Sequence, residues 1–458
     1  MPTPDAGQRL TRSAVGRIVA DLAFATTSTD QAIGLEIEVF ALRPASTVDG
    51  AAGLVRPPIR GNDGLAAMVF AAVESELAVT SPLPDRWPVA SGAVTFEPGG
   101  QIEYSSGVHA TSASVLDEVE QVMGRLAMAA GERGIALAST GHDAWTDPDD
   151  VGQQLDAARY RVMDAYLGQR GGGGQRMMRH TAALQVNLDP GRGDVGERRW
   201  RLANLVAPLS VASFACSPAA PPDPAVSVRA RTWRNLDPTR TGIPGGRGMH
   251  REVDRAADLT RFALDADVLM LRLPDGSVEA GPGRFTFGNW IDAGHPRAGW
   301  PTAADLREHL TTLFTEVRPR GALEIRSIDA LPSRFRAVPV VLLAGLLLHQ
   351  PTTELVLELM APTADRIDDR LARAGEVGLK DPELCANAVE IWSFALAGAA
   401  ALPAGWVRPH DLRAVEQFID QFTMRGRCPA DDLRQLLASD PLAALRWASE
   451  PIPSRQPA

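Results

Sequence analysis

Four segments of the chain carry polar residues at a spacing of two, and their types suit metal and phosphate chemistry. Gly34-Leu35-Glu36-Ile37-Glu38-Val39-Phe40 sets Glu36 and Glu38 against Leu35, Ile37 and Val39. Gln101, Glu103 and Ser105 alternate with Ile102 and Tyr104, and Glu97 lies at the mouth of a preceding Pro98-Gly99-Gly100 turn. Gln185, Asn187 and Asp189 alternate with Leu184, Val186 and Leu188, and Glu324 and Arg326 alternate with Leu323 and Ile325. Successive side chains of a β-strand point to opposite faces, so each segment would show acids and amides on one side and apolar groups on the other.

Each segment alone also fits an ordinary half-exposed strand with one wet face. Four together shift the balance, because glutamate is depleted in strands and like charges on one face repel unless a cation lies between them. A sheet curled into a cup would gather Glu36, Glu38, Glu97, Glu103, Gln185 and Glu324 around hard divalent cations. An oxygen donor set without thiols or paired histidines favours Mg²⁺ or Mn²⁺ over zinc. Carboxylate-bound Mg²⁺ usually keeps positions for substrate phosphates. Arg326, beside Glu324, would add the planar fork that grips a phosphoryl group as it transfers. The chemistry within reach is phosphoryl transfer by metal and arginine.

Periodicity indicates the elements that must hold these residues. Thr11 to Phe24 reads as an amphipathic helix, Ala32 to Leu42 as a strand, and Ala66 to Leu77 as a helix ended by the proline-rich Ser81 to Val89. Val94 to Ser106 reads as strand, tight turn and strand, Ser112 to Arg133 as a long helix, and Ile135 to Thr140 as a short strand. Gly171 to Gly174 is expected to be a flexible loop, Ala182 to Asp189 a strand, and Trp200 to Ser213 an apolar helix. Gly242 to Gly248 is a second glycine-rich loop, suited to covering an active site. Asp305 to Phe314 reads as a helix and Ala322 to Ile328 as a strand. From Val338 to about Trp447 the pattern is helical, and the tail Pro451 to Ala458 reads as disordered. The expectation is one catalytic domain over residues 1–450, with a sheet core at 31–332 and a helical part at 338–450.

Composition excludes several classes. The 458 residues include 46 Lys plus Arg against 56 Asp plus Glu, a net charge of −10, which argues against nucleic acid as a partner. Lys380, the only lysine, is followed by Asp381, so no phosphate loop ending in Gly-Lys-[Ser/Thr] exists, nor an early kinase-strand lysine. Any ATP phosphates must be held by arginine, backbone or metal. Cys216, Cys385 and Cys428 are odd in number and widely spaced, which suits free thiols of a reducing cytoplasm. No signal-peptide pattern is evident at the N-terminus. The longest apolar run, Ala337 to Leu348, contains Pro339 and falls short of the ~18–20 residues a bilayer span needs. It is expected to be a buried helix, so no membrane partner is expected and the location is expected to be cytoplasmic. No His-Glu-x-x-His or Gly-x-Ser-x-Gly is present.

Five blocks in order carry a resemblance. They are Gly34-Leu35-Glu36-Ile37-Glu38; Phe96-Glu97-Pro98-Gly99-Gly100-Gln101-Ile102-Glu103; Met177-Met178-Arg179-His180-Thr181 leading into Gln185 to Asp189; Asp237-Pro238-Thr239-Arg240-Thr241-Gly242; and Thr312 to Arg326. The set resembles the plant-type glutamate–cysteine ligases, above all the bacterial branch that feeds ergothioneine synthesis, over about two thirds of the chain. The resemblance implies an α+β fold, an antiparallel sheet curled into a cup with flanking helices and a glutamine synthetase-like ATP site. It implies an ATP-dependent ligase joining the γ-carboxylate of L-glutamate to the amino group of L-cysteine through a γ-glutamyl phosphate. Metal-binding positions would fall on Glu36, Glu38, Glu97, Glu103, Gln185 and Glu324, and the phosphate-gripping arginine on Arg326. Asn187, Arg240 and Arg179 are further candidates for substrate or ATP contact.

Some positions stay open between two readings. Arg240 fits a substrate contact or a structural salt bridge. Trp233 and Tyr104 fit a pocket wall or plain packing, and His180 fits a structural hydrogen-bonded group better than a base. The glycine-rich stretches Gly168 to Gly174 and Pro244 to Gly248 depart from the family pattern, and the regulatory cysteines of plant enzymes have no counterpart among the three here. A ligase using another amine, or a non-catalytic nucleotide- or metal-binding relative, are the alternatives; the complete glutamate set with Arg326 argues against the latter.

Overall fold

A computed structural model describes residues 9–25, 31–45, 53–74, 86–246 and 254–452. The start of the proline-rich stretch, the end of the second glycine-rich loop and the tail from Pro453 lie outside the described residues.

Eleven strands occur among the described residues: β1 Ile33–Pro44, β2 Leu54–Val55, β3 Arg86–Val89, β4 Gly92–Phe96, β5 Ile102–Ser105, β6 Ala136–Ala138, β7 Ala183–Leu188, β8 Met270–Arg272, β9 Val278–Ala280, β10 Val317–Pro319 and β11 Leu323–Asp329. Nine form one antiparallel sheet in the order β10-β11-β7-β1-β5-β4-β3, with β2 and β6 paired to the far half of β1; β8 and β9 make a separate hairpin. Helices flank the sheet, so the α+β class is what the molecule has. Both edge strands carry a proline, Pro319 in β10 and Pro88 in β3. A proline removes a backbone donor where an exposed edge could otherwise template another strand.

Register puts the polar positions in three rows across the sheet. Arg318 pairs with Glu324 and Glu324 with Asn187. In the next row Gln185 pairs with Glu36 and Glu36 with Ser105. In the third Glu38 pairs with Glu103 and Glu103 with Thr95. Because the side-chain period is two, fixing one pair fixes the face of all the others. The opposite faces of these strands, Leu35, Ile37, Val39, Leu184, Val186 and Ile325, are buried in one apolar cluster that also takes in Val340 to Leu348 and reaches Ala444.

The apolar run is a buried helix, Ser333–Leu347, with Pro339 inside it. Its close neighbour is the helix Pro382–Ala400. A Cβ on Gly345 would lie 2.0 Å from the Ala395 carbonyl oxygen, and one on Gly398 would lie 2.5 Å from the Gly345 carbonyl oxygen. Two glycines thus let two backbones touch, which explains why so apolar a segment is interior. No single described helix is long and apolar enough to cross a membrane; the pair Ser333–Leu347 and Gln350–Lys380, bent by 90°, passes on length and composition, and the first of the two is core.

Three expectations need correction. The glycine run does not stay a loop: the helix Gly173–His180 begins within it. Gly174 is there for contact, since a Cβ on it would lie 2.2 Å from Leu167 Cβ. The segment Trp200 to Ser213 is two helices, Gly193–Leu205 and Ala207–Ser213, with Pro208 at the start of the second, where its missing donor costs nothing. The helix expected from Asp305 runs instead from Ala303 to Leu310, started by a capping box between Thr302 and Asp305.

That helix carries His309, stacked on the Phe287 ring at 4.7 Å, with Nε2 donating to the Ala263 carbonyl at 2.9 Å. Burial, then the Arg240 charge, pushes its imidazole down to about 3. The unfolded chain titrates at about 6.5, so on acidification the unfolded state takes up the proton first. Stability present above pH ~6.5 is lost as pH falls toward the folded value, by about 2 kcal/mol at pH 5. Urea unfolding at pH 7.5 and pH 5 should therefore show a smaller acid-induced loss in His309→Gln than in the wild type. Equal losses in both would assign the acid sensitivity to other groups.

Candidate active site

Glu324, in the first of the three rows, is fully buried. Arg318 grips it from the neighbouring strand through Nη2 to Oε1 at 2.7 Å and Nε to Oε2 at 3.1 Å. Arg326 Nη1 donates to Oε1 at 2.7 Å, and Arg320 Nε lies 2.5 Å from Oε2. The pairing of β11 with β7 shifts by one residue between Ile325 and Ile328. A bulge of this kind re-aims the side chains within it, and Arg326 and Ser327 are the residues it contains.

The other glutamates are held more loosely. Glu36 accepts from Arg320 and, at 3.4 Å, from Asn187 Nδ2. Glu38 accepts from the Ala183 amide at 2.9 Å and from Gln185 Nε2 at 3.0 Å. Glu103 accepts from Thr95 Oγ1 at 3.1 Å and Ser105 Oγ at 2.9 Å. Electrostatics follows from this division. Burial, then the charges of Glu324 and Glu103, pushes the Glu36 carboxyl up to about 7. Burial likewise raises Glu38 and Glu103, and together with Glu103 and Glu38 it holds Glu97 well above the usual range. Glu324 goes the other way: burial opposes ionisation, but Arg318, Arg326 and Arg320 outweigh it and lower its pKa.

This face therefore has more carboxyl groups, Glu36 and Glu324 buried and Glu38, Glu97 and Glu103 half-buried, than arginines bonded to them. Among the described residues no group of three or more His, Cys, Asp or Glu side chains is placed so that it could hold a metal ion as it stands. The donor set nevertheless fits a hard cation. All of its atoms are oxygens, and Gln185 Oε1 is buried without a hydrogen-bond partner, an acceptor that a cation would satisfy.

Glu97 is placed by its turn. The Gly100 amide donates to the Glu97 carbonyl at 2.8 Å, and Gly100 takes φ +82°, where glycine is favoured. Arg56, which sequence reading did not single out, clamps the turn from behind. Its Nη1 donates to the Gly99 carbonyl at 3.0 Å and to the Arg179 carbonyl, while Nε holds Asp143 at 2.7 Å. A Cβ on Gly99 would lie 2.4 Å from the Arg179 carbonyl oxygen and 2.6 Å from Arg179 Cα, both backbone atoms. Gly99→Ala must therefore push the turn off the helix end, and it is expected to cost about 1–3 kcal/mol and to lower activity by displacing Glu97. A thermal melt within experimental error of the wild type would contradict this.

A cavity of about 200 Å³ adjoins the acidic face, with Arg229, Trp233, Arg234, Thr241, Glu316 and Arg326 in its lining. The Arg326 guanidinium lies 5.0 Å from the Trp233 ring, which meets Phe314 edge-on at 5.3 Å. Arg229 Nη2 donates to the Arg326 carbonyl at 2.8 Å. Glu316 is raised by burial, against the pull of Arg229, Arg234 and Arg326.

Arg240 lies away from this face. Fully buried, it bonds Asp237 at 3.0 Å, Thr312 at 2.8 Å and the Asp267 carbonyl, so the geometry carries the structural reading and leaves its fork no room for substrate. Arg179 pairs with Asp164 at 2.8 Å, and its backbone supports the glycine turn. His180 is buried and pushed down to about 3 by burial and Arg56, which leaves it neutral and structural. Tyr104 is buried on the reverse face, donating to Glu118 at 2.6 Å. Arg318 and Arg320 belong to the site but drew no role from the sequence; their spacing of two before Glu324 was the available signal.

Comparison with known proteins settles the lineage. Residues 32–448 match the model of "Glutamate-cysteine ligase family 2(GCS2)". The chain belongs to this family. Among curated glutamate–cysteine ligases, EgtA of Mycobacterium tuberculosis is 32% identical over 371 residues, covering 80% of this chain and 80% of EgtA. EgtA of Mycolicibacterium smegmatis is 31% identical over 374 residues, 80% of this chain and 83% of its own length. The chloroplastic glutamate–cysteine ligase of Medicago truncatula is 28% identical over 300 residues, 63% of this chain and 57% of the plant protein. Among solved structures, a Francisella tularensis glutamate–cysteine ligase in complex with AMP aligns with 93% of this chain and 89% of its own at 14% identity, with a TM-score of 0.46.

Proposed function

We propose that this member of glutamate–cysteine ligase family 2 joins the γ-carboxylate of L-glutamate to the amino group of L-cysteine at the expense of ATP. The product would be γ-glutamylcysteine, feeding a low-molecular-weight thiol, with ergothioneine the pathway that the resemblance to the bacterial branch implies. The observation that carries this reading is the place of Arg326: its guanidinium is bonded to Glu324 on the acidic face and also lines the cavity beside it. One arginine thus spans a phosphate-handling face and a pocket whose mixed charges, Arg229 and Arg234 against Glu316, suit a zwitterionic amino acid.

A carboxylate resists attack by an amine because its oxygen is too poor a leaving group. A γ-carboxylate oxygen therefore first takes the terminal phosphoryl group of ATP; the bond to the ADP oxygen breaks and ADP leaves. The neutral amine of cysteine then attacks the carbonyl carbon, the bond to phosphate breaks, and phosphate departs with the electron pair while the nitrogen sheds a proton. Arg326 holds the phosphoryl group between the two events. Glu36, Glu38, Glu97, Glu103, Gln185 and Glu324 would hold Mg²⁺ or Mn²⁺, whose charge screens the triphosphate from the glutamate carboxylate. Trp233 and Phe314 shield the acyl phosphate from water. No protein nucleophile is needed, and burial raises the thiols of Cys216 and Cys428 far from reactivity. Sheet core and helical part act as one catalytic unit, a reading supported by the apolar cluster they share, and the place of action is the cytoplasm, where the three unpaired cysteines stay reduced.

The test is ADP release with ATP, Mg²⁺ and glutamate, comparing cysteine with a panel of other amines. Turnover that depends on cysteine is expected. Turnover with another amine and none with cysteine would move the chain to a different ligase of the same fold.

A further inference from the structure

Arg320 differs from the other arginines on Glu324. Its side chain is 50% exposed, against 20% for Arg318 and 11% for Arg326. It also reaches two carboxylates at once: Nη2 bonds Glu36 Oε1, and Nε lies 2.5 Å from Glu324 Oε2. Those glutamates stand on β1 and β11, with β7 between them. A single guanidinium therefore bridges the acidic face across an intervening strand, at the place where a cation balancing both carboxylates would sit.

The same side chain borders a second space. Arg159, Arg307, Arg318 and Arg320 line a cavity of about 430 Å³ floored by Leu22, Leu259, Leu310 and Leu313, and no acidic residue is among its lining. Arg318 and Arg320 are balanced from behind by Glu324 and Glu36, but the space itself presents only cationic and apolar groups, a lining that favours a polyanion once Arg320 is released from its carboxylates. Arg320 stands just past the end of β10, in the turn to β11 that Gly321 makes at φ +78°.

We propose that Arg320 is an internal stand-in for a divalent cation. A metal ion binding Glu36 and Glu324 displaces its guanidinium, and the released side chain turns into the arginine-lined cavity, where a polyphosphate supplies the negative charge it has lost. The inference rests on the metal-holding role given above to the glutamates. Metal and nucleotide then bind cooperatively, because each removes the charge imbalance that the other creates. Without either, the arginine keeps buried carboxylates from facing one another unpaired.

Mn²⁺ binding followed by electron paramagnetic resonance tests this without turnover, using the full chain with and without a non-hydrolysable ATP analogue. Wild-type protein should bind Mn²⁺ weakly alone and about tenfold or more tightly with the analogue, within the usual range of coupling. Arg320→Gln should bind Mn²⁺ alone about tenfold more tightly than wild type and gain less from the analogue than wild type does, keeping only the direct attraction of metal to phosphate, while Arg320→Lys, which keeps a cation, should stay near wild type. Equal or weaker Mn²⁺ binding by Arg320→Gln overturns the proposal, as does an absence of analogue-induced tightening in the wild type, which needs no variant to fold. If no protein binds Mn²⁺ under either condition, the metal reading itself falls, and this proposal with it.

Discussion

Replacing Arg326 by alanine should lower kcat by roughly 10³-fold, the loss expected when a single preorganised charge on a transferring phosphoryl group is removed. The expectation is large because Arg326 cannot be substituted from nearby. Arg318 is committed to Glu324 through two nitrogens, Arg318 and Arg320 do not line the cavity that Arg326 lines, and Arg229, which does, bonds the Arg326 carbonyl and lies near Asp329. Lysine at 326 should rescue little, since a point charge cannot both bond Glu324 and present a planar fork beside the Trp233 ring, 5.0 Å from the guanidinium. Glutamate-dependent ADP formation is the measurement. Activity of the alanine variant within tenfold of wild type would remove Arg326 from the chemistry.

Glu324→Ala should cost about 3–5 kcal/mol of folding stability in addition to activity, because breaking a buried ion pair from one side leaves the other charge unpaired. Here one carboxylate bonds three arginines, of which Arg320 alone keeps a second partner in Glu36 among the pairs around Glu324. Arg318 suffers most, since burial already presses its pKa down and Glu324 is the group that offsets this most strongly. Urea unfolding at low salt should show the midpoint falling with an unchanged slope. Sulfate should return part of the loss by occupying the arginine cluster. A cost under about 1 kcal/mol would mean that solvent already screens these charges.

The period-two alternation of Glu36, Glu38, Glu103, Gln185 and Glu324 was enough to put them on one face, because a buried reverse face leaves a strand no freedom of register; Arg326 meets Glu324 from within a bulge that the alternation did not show. Glu97 was legible from Pro98-Gly99-Gly100, whose turn has few alternatives. The arginines that answer these acids were not legible as partners. Arg320 and Glu36 are 284 positions apart, and nothing local in a sequence reports a cation arriving from that distance. β10 escaped because it is three residues long and ends in proline, too short for a periodic signal. Arg56 escaped for another reason: it bonds backbone carbonyls of the glycine turn and of a helix end, a role set by tertiary packing alone. Gly174 shows the limit of reading glycine as freedom, since its use here is to let Leu167 approach.

The most direct measurement follows the oxygen atoms. With glutamate labelled by ¹⁸O in the γ-carboxylate, ATP and cysteine, one labelled oxygen should appear in the inorganic phosphate for each γ-glutamylcysteine formed, because that oxygen bonds to phosphorus before the amine expels it. Product formed with unlabelled phosphate would contradict an acyl phosphate, and with it the role assigned to Arg326 and the glutamates around it.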